Sequence, residues 1–300
     1  MANNYATITS NAVDLPKIWA PELNTAVQFD IVAAALFDNR YEDIMRVGNI
    51  VSIPGRRNLA TSAKSAQTDF AIPAVATETA QNFTINTHIA CAFGIDDIAE
   101  VQSLYDLRAT YTDAAAYAIA RDLDVRCLDA TVGIGSSTTN TFGTGGAELT
   151  DDNLISAWKT LANNACPLGD RYTVVAPATY AGFLKVDKFV NALYNGDTQG
   201  MAVHEAKVGN LYNSEVYVSQ LTSGSAPTSN GAMFHRSHWL LIRQRTPTVH
   251  MEYRAVSVGW TVLVDQIYGV FERLEYPEGG NTGTNVTAAV LWDVQLLSVQ

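Results

Sequence analysis

Alternation is clearest over Gln81–Phe93, where Phe83, Ile85, Ile89, Cys91 and Phe93 share one face. Thr84, Asn86, His88 and Ala90 take the other. A period of two marks a half-buried strand. Upstream, Val47–Pro54 favours a second strand. The 26 residues between them, GRRNLATSAKSAQTDFAIPAVATETA, are mostly Ala, Thr and Ser and hold too few large apolar side chains for a core. A lone two-stranded hairpin is marginal in water. Structureless loops beyond about 12–15 residues are mostly functional or disordered. The excursion is therefore expected to lie on a neighbouring molecule.

The period then becomes helical. Leu107, Tyr111, Ala115, Ile119 and Leu123 recur every four residues and predict a long helix over Leu104–Leu128. At 1.5 Å per residue its length would be about 37 Å. The small-residue stretch TVGIGSSTTNTFGTGGAE that follows reads as a hairpin or a loop. Thr150 or Asp151 stands in place to cap a helix over Asp152–Asn164, with acids in its first turn. From 165 to 247 strands alternate with helix: YTVVA (172–176), a helix near Ala178–Val186, SEVYVS (214–219), AMFH (232–235) and WLLIR (239–243). This pattern is an α/β subdomain. After Pro247 the chain turns strand-rich. Val286, Ala288, Val290, Trp292, Val294 and Leu296 alternate along the last strand, behind the turn-forming run YPEGGNTGTN.

The N-terminal 25 residues are polar, and Pro16 and Pro21 interrupt regular structure, so they read as an extended arm. Residues 26–46, with Val27, Ile31, Val32 and Leu36, suit one short helix.

Composition alters this picture in one direction. Charged residues make up 16% of the chain, against roughly 25% in ordinary soluble domains. A shortage of charge suggests that part of the surface is covered by other protein. The net charge of −11 argues against gripping nucleic acid through phosphate neutralisation. Cys91, Cys127 and Cys166 are odd in number and lack CxxC spacing, so they read as buried thiols in a reducing compartment. The N-terminus lacks the basic-then-apolar pattern of a signal peptide. The longest strongly apolar run, about Ile31–Phe37, is too short to cross a bilayer. A soluble protein made in a cytoplasm is expected, with no membrane partner.

Chemical motifs are weak. Gly133-Ile-Gly135-Ser-Ser lacks the G-x-S-x-G of a nucleophile elbow, and Gly143-Thr-Gly145-Gly146 lacks the Lys-Ser/Thr of a phosphate loop. Asp122 and Asp124 point about 200° apart on a helix. His235 and His238 have no evident third ligand, and His204-Glu205 is not part of HExxH. No catalytic, cofactor-binding or metal-ligating residue is assigned, and the chain reads as a non-enzyme.

The order of parts resembles the major capsid proteins of tailed bacteriophages with the Hong Kong 97-type fold, across nearly the whole chain. Three local stretches are similar to that family. Val208-Gly209-Asn210-Leu211 leads into Val216-Tyr217-Val218-Ser219. Ile267-Tyr268-Gly269 precedes Phe271-Glu272-Arg273. Ile18-Trp19-Ala20-Pro21-Glu22 stands near the start. The resemblance implies an α+β fold in five parts. These are an N-terminal arm (1–46), an extended loop (47–93), a peripheral domain with a spine helix (94–150), an α/β axial domain (151–245) and a return to the peripheral domain (246–300). It implies self-assembly through pentamers and hexamers into an icosahedral shell around double-stranded DNA, in the bacterial host cytoplasm, with no sequence-specific DNA contact. Scaffolding and portal proteins, and a decoration protein, are the implied partners. An encapsulin-type compartment and a tail or decoration subunit are the alternatives.

Charge is unevenly spread. Arg56, Arg57 and Lys64 face only Asp69 and Glu78 within the extended loop, which is mildly basic. Residues 93–150 carry nine acids against three bases, a formal −6. On the capsid reading, the three basic residues are candidate intersubunit contacts. Asp106, Asp113 and Asp129 are candidate lumen-facing acids, set against such ordinary roles as pairing with Arg108, Arg121 or Arg126.

Overall fold

The computed structural model describes residues 28–45, 47–55, 63–69, 79–103, 106–129, 131–134, 140–186, 189, 210–224, 228–274 and 293–299. Their strands form three sheets. In the smallest, β1 (Ile50–Gly55) pairs antiparallel with β2 (Thr79–Thr84), from Ile50 opposite Thr84 to Gly55 opposite Thr79. The second contains β3 (Thr87–Asp96), β9 (Trp239–Arg254) and β10 (Gly259–Glu272), with β10 in the middle.

The largest sheet has the order β4-β11-β8-β5-β7-β6. Its strands are β4 (Thr141–Gly143), β5 (Arg171–Val175), β6 (Asn210–Leu211), β7 (Ser214–Val218), β8 (Thr228–His235) and β11 (Asp293–Val299). The helices are α1 (Ala33–Leu36), α2 (Asp97–Gln102), α3 (Leu107–Cys127), α4 (Asp151–Asn163) and α5 (Pro177–Phe183).

The apolar runs of β5 and β8 follow from burial on both faces, which removes the need for polar alternation. Val175 and Met233 face one core with Leu154, Ala157 and Leu161 of α4, Phe183 of α5, and Val294 and Leu296 of β11. Val174, Ala232 and Phe234 face the other. That second core also contains Trp239, Leu241, Tyr268 and Val270 from the three-stranded sheet, Leu123 and Cys127 from α3, and Ala33 and Leu36 of α1. A single core therefore joins the two larger sheets, the end of the long helix and the α1 segment. Earlier along α3, Ala115 and Ile119 pack on Val264, with Ile89, Cys91 and Phe93 beside them.

The long helix starts at Leu107. Asp106 caps it, its carboxylate accepting the Ala109 N–H at 3.1 Å; Leu104 lies outside the described residues. Thr150 caps α4 through the Asn153 N–H. The single helix expected over 26–46 is instead α1 plus a 3-10 turn at Glu42–Ile44. Cys127 and Cys166 are buried and Cys91 is half-buried; all three are free thiols.

Three other expectations are corrected. Gln81–Phe93 is not one strand: it breaks between Thr84 and Thr87 and changes sheets. The alternation persists because Phe83 and Ile85 enter a small core with Leu240 and Ile242 while the following residues meet α3. The stretch read as a hairpin or loop supplies β4, which pairs parallel with β11 from Thr141 opposite Gln295. Sheet membership also differs from the expected segments. β9 runs straight through Pro247 within the three-stranded sheet, and β11 joins the six-stranded one. Pro247 is tolerated because β9 is an edge strand and its pairing is irregular there, between Asp265 and Ile267 of the partner.

Among the described residues, no helix is long and apolar enough to cross a membrane.

Candidate assembly surfaces and the junction between the sheets

The β1–β2 hairpin is fixed at its base. Val51, Phe83 and Ile85 pack with Met45, Leu240 and Ile242. The Gln81 amide donates to the Leu274 carbonyl at 2.7 Å and accepts the Leu274 N–H at 3.1 Å. Farther along the loop, residues 63–69 are exposed, Lys64 among them. Val47 is 91% exposed and Ile50 52% exposed at the root. Such apolar surface in contact with water is costly and is a natural place for another molecule. Arg56 and Arg57 lie outside the described residues.

The arm is held along α3. The Asp124 carboxylate accepts the N–H of Ala34 at 2.9 Å and of Val32 at 3.4 Å. Burial raises the Asp124 pKa against the pull of those backbone donors. The Tyr117 hydroxyl accepts the Phe29 N–H at 2.7 Å, and the Arg121 guanidinium lies 5.7 Å from the centre of the Phe29 ring. Farther on, Asp38 lies opposite Leu240 of β9, its N–H donating to the Trp239 carbonyl and its own carbonyl accepting the Leu241 N–H.

Asp122 accepts the Tyr268 hydroxyl at 2.9 Å, so it and Asp124 serve different neighbours. Of the three acids expected at the lumen, Asp106 is the α3 cap. Asp129 accepts the backbone N–H and hydroxyl of Thr131, and the hydroxyl bond lowers its pKa. Asp113 is exposed on the helix. Arg108, which the sequence offered as a partner for such acids, instead pairs with Glu100 at 3.1 Å and lies over the Trp260 ring.

Two polar clusters escaped the sequence reading. Asp265, on β10, receives His88 at 2.9 Å, Thr248 at 2.9 Å, Arg245 at 3.2 Å and His250 at 3.1 Å. Hydrogen bonds from His88 and then Thr248 bring its pKa down to about 2. The second cluster lies where the two larger sheets meet. His238 follows β8 in the short link to β9, Glu272 ends β10, and Asp293 begins β11. The His238 Nε2 is 3.2 Å from Glu272 Oε1 and 3.6 Å from Asp293 Oδ1. Burial opposes charge on His238, but the two carboxylates outweigh it and raise the pKa to about 9. Spacing along the chain gave no hint of this triad, because its members are 34 and 21 residues apart on three strand ends. His204 and Glu205 lie outside the described residues.

A family model described as phage capsid protein matches residues 78–289. No curated protein matches the chain. Among solved structures, one from Mycobacterium phage Che8 is similar over 94% of this chain and 96% of its own, at 23% identity and a TM-score of 0.76. The capsid of cyanophage P-SCSP1u aligns with all of this chain and 97% of its own, at 15% identity and a TM-score of 0.72. The acid-stable capsid of Helicobacter pylori bacteriophage KHP30 also aligns with all of it and 99% of its own, at 13% identity and a TM-score of 0.72. The family match displaces the encapsulin, tail and decoration alternatives. The chain belongs to the phage capsid protein family: it is a major capsid protein with the Hong Kong 97-type fold of tailed phages, a shell-forming subunit of the icosahedral virion.

Proposed function

We propose that the shell built by this chain encloses double-stranded DNA without gripping it, and that the hairpin and arm are its main intersubunit connectors. The observation that carries this reading is the hairpin: two paired strands packed at one end, with residues 63–69 exposed beyond. A two-stranded sheet gains too little burial to be stable alone, so the rest of its stabilisation comes from a neighbouring subunit. Arg56, Arg57 and Lys64 are the proposed contacts to acidic groups there. The five-part division is part of this proposal, with β4 and β11 added to the axial domain because both pair within the six-stranded sheet.

Scaffolding and portal proteins, and a decoration protein, are the proposed partners, with assembly in the bacterial host cytoplasm. The role is mechanical rather than catalytic. Negative-stain microscopy of the full chain, expressed alone and with a scaffolding protein, tests the connector reading. Shells, tubes or capsomers are expected for the wild type, and unassembled folded subunits when residues 56–78 are replaced by a short Gly-Ser turn. Normal shells from the shortened chain would refute the connector role.

A further inference from the structure

We propose that His238, Glu272 and Asp293 form a site for one divalent transition metal of the zinc class, which ties the six-stranded sheet to the three-stranded sheet. This goes beyond the shell-forming role and does not depend on it.

The strongest observation is Asp293. Its side chain is fully buried, and neither carboxylate oxygen has a hydrogen-bond partner among the described residues. A buried carboxylate without a donor is costly, and such charges are ordinarily paired or bound to metal. Among the described residues, the only cation within ion-pair distance of it is His238, at 3.6 Å and likewise fully buried. Glu272, one third exposed, is the third group. A protonated imidazole offsets one of the two negative charges, whereas a divalent ion with neutral imidazole offsets both.

Geometry agrees. One donor atom from each residue lies within 4.8 Å of the others. A tetrahedral zinc ion with ligands at about 2.0–2.1 Å places its donors about 3.3–3.5 Å apart. The distances from His238 Nε2, 3.2 and 3.6 Å, straddle that range. One imidazole and two carboxylates suit zinc better than calcium, which takes six to eight oxygens. The partial exposure of Glu272 leaves an approach for a fourth ligand such as water. Placement gives the ion a structural task. His238 is in the link between the sheets, Glu272 belongs to one and Asp293 to the other. Three bonds to one ion would hold the angle between them.

The test uses the full chain stripped with EDTA, desalted and titrated with zinc chloride. Elemental analysis after gel filtration should recover one zinc per chain, and the thermal midpoint should rise and fall back with EDTA. Cobalt(II) in place of zinc should give the visible absorption of a low-coordinate site. Second-sphere changes alone cost 10–100-fold in metal affinity, so losing a direct ligand through Asp293→Asn or Glu272→Gln should weaken zinc at least about 100-fold. Without metal, Asp293→Asn should fold at least as stably as the wild type, because it removes one of two carboxylates that a single imidazolium cannot both offset. Glu272→Gln, at the exposed edge, carries the comparison if Asp293→Asn fails to fold. Zinc retained by the wild type no better than by Glu272→Gln, or a wild-type midpoint indifferent to zinc, would overturn the proposal and leave a metal-free ion network.

Discussion

Single residues in this chain hold large pieces together. Asp124 turns the inner side of the long helix into a receptor for two backbone N–H groups of the arm. Asp265 gathers four side chains from two neighbouring strands onto one carboxylate. Because folding lowers its pKa to about 2, below the roughly 3.9 of an unfolded aspartate, its contribution has a defined pH window. It is fully present above about pH 4–5 and is lost as the pH falls toward 2. Asp265→Asn is therefore expected to lower the thermal midpoint by a constant amount between pH 7 and 5, and by progressively less below pH 4. Melting curves for both proteins across that range provide the check. A difference that stays constant down to pH 3 would mean that packing, not charge, explains the loss.

Elements differ in how much of their support lies within the chain. Helix α3 has a capped start, an apolar stripe on the three-stranded sheet and a buried end. Among its described residues, the hairpin buries apolar side chains at its base, through Val51, Phe83 and Ile85. Reversing Arg56, Arg57 and Lys64 to Glu should accordingly leave the circular dichroism and thermal midpoint of the isolated subunit unchanged while impairing assembly. Exposed ion pairs contribute only about 0–1 kcal/mol each, but each shell repeats them in every subunit. Sedimentation at low and moderate salt measures this. Normal assembly at low salt, where screening is weakest, would remove these residues from the interface.

At the scale of the shell, charge concerns DNA. A basic lining would hold packaged DNA, since each neutralised phosphate strengthens binding through counterion release. The −6 of residues 93–150 suits a surface that repels it, within the roughly 8–10 Å that salt allows. The structure narrows the test. Asp106 caps α3 and Asp129 braces Thr131, so changing either confounds charge with folding. Replacing the cap alone costs about 1 kcal/mol. Asp113, exposed and away from both ends, is the clean position. Asp113→Lys shells should form normally and retain more nucleic acid after nuclease treatment, as read by the ratio of absorbance at 260 and 280 nm. An unchanged ratio would make Asp113 ordinary solubilising charge.

Local pattern by itself determined a good deal of this protein. The periods of two and four placed the strand faces and the long helix, because side-chain direction repeats within a few residues. Capping chemistry located the start of α4 at Thr150 or Asp151, and a low charge fraction pointed to covered surface. The order of parts was enough to indicate the family. Other features were decided only by tertiary structure, because they depend on which strand lies beside which. Alternation reports a face and not a partner, so the sheet change after Thr84 was invisible, as was the entry of β11 into the six-stranded sheet. Small residues hid β4, which is three residues long and pairs parallel with β11, a strand far away in sequence. The His238–Glu272–Asp293 triad has no sequence spacing to detect: three strand ends bring it together, and only the folded chain puts those ends in one place.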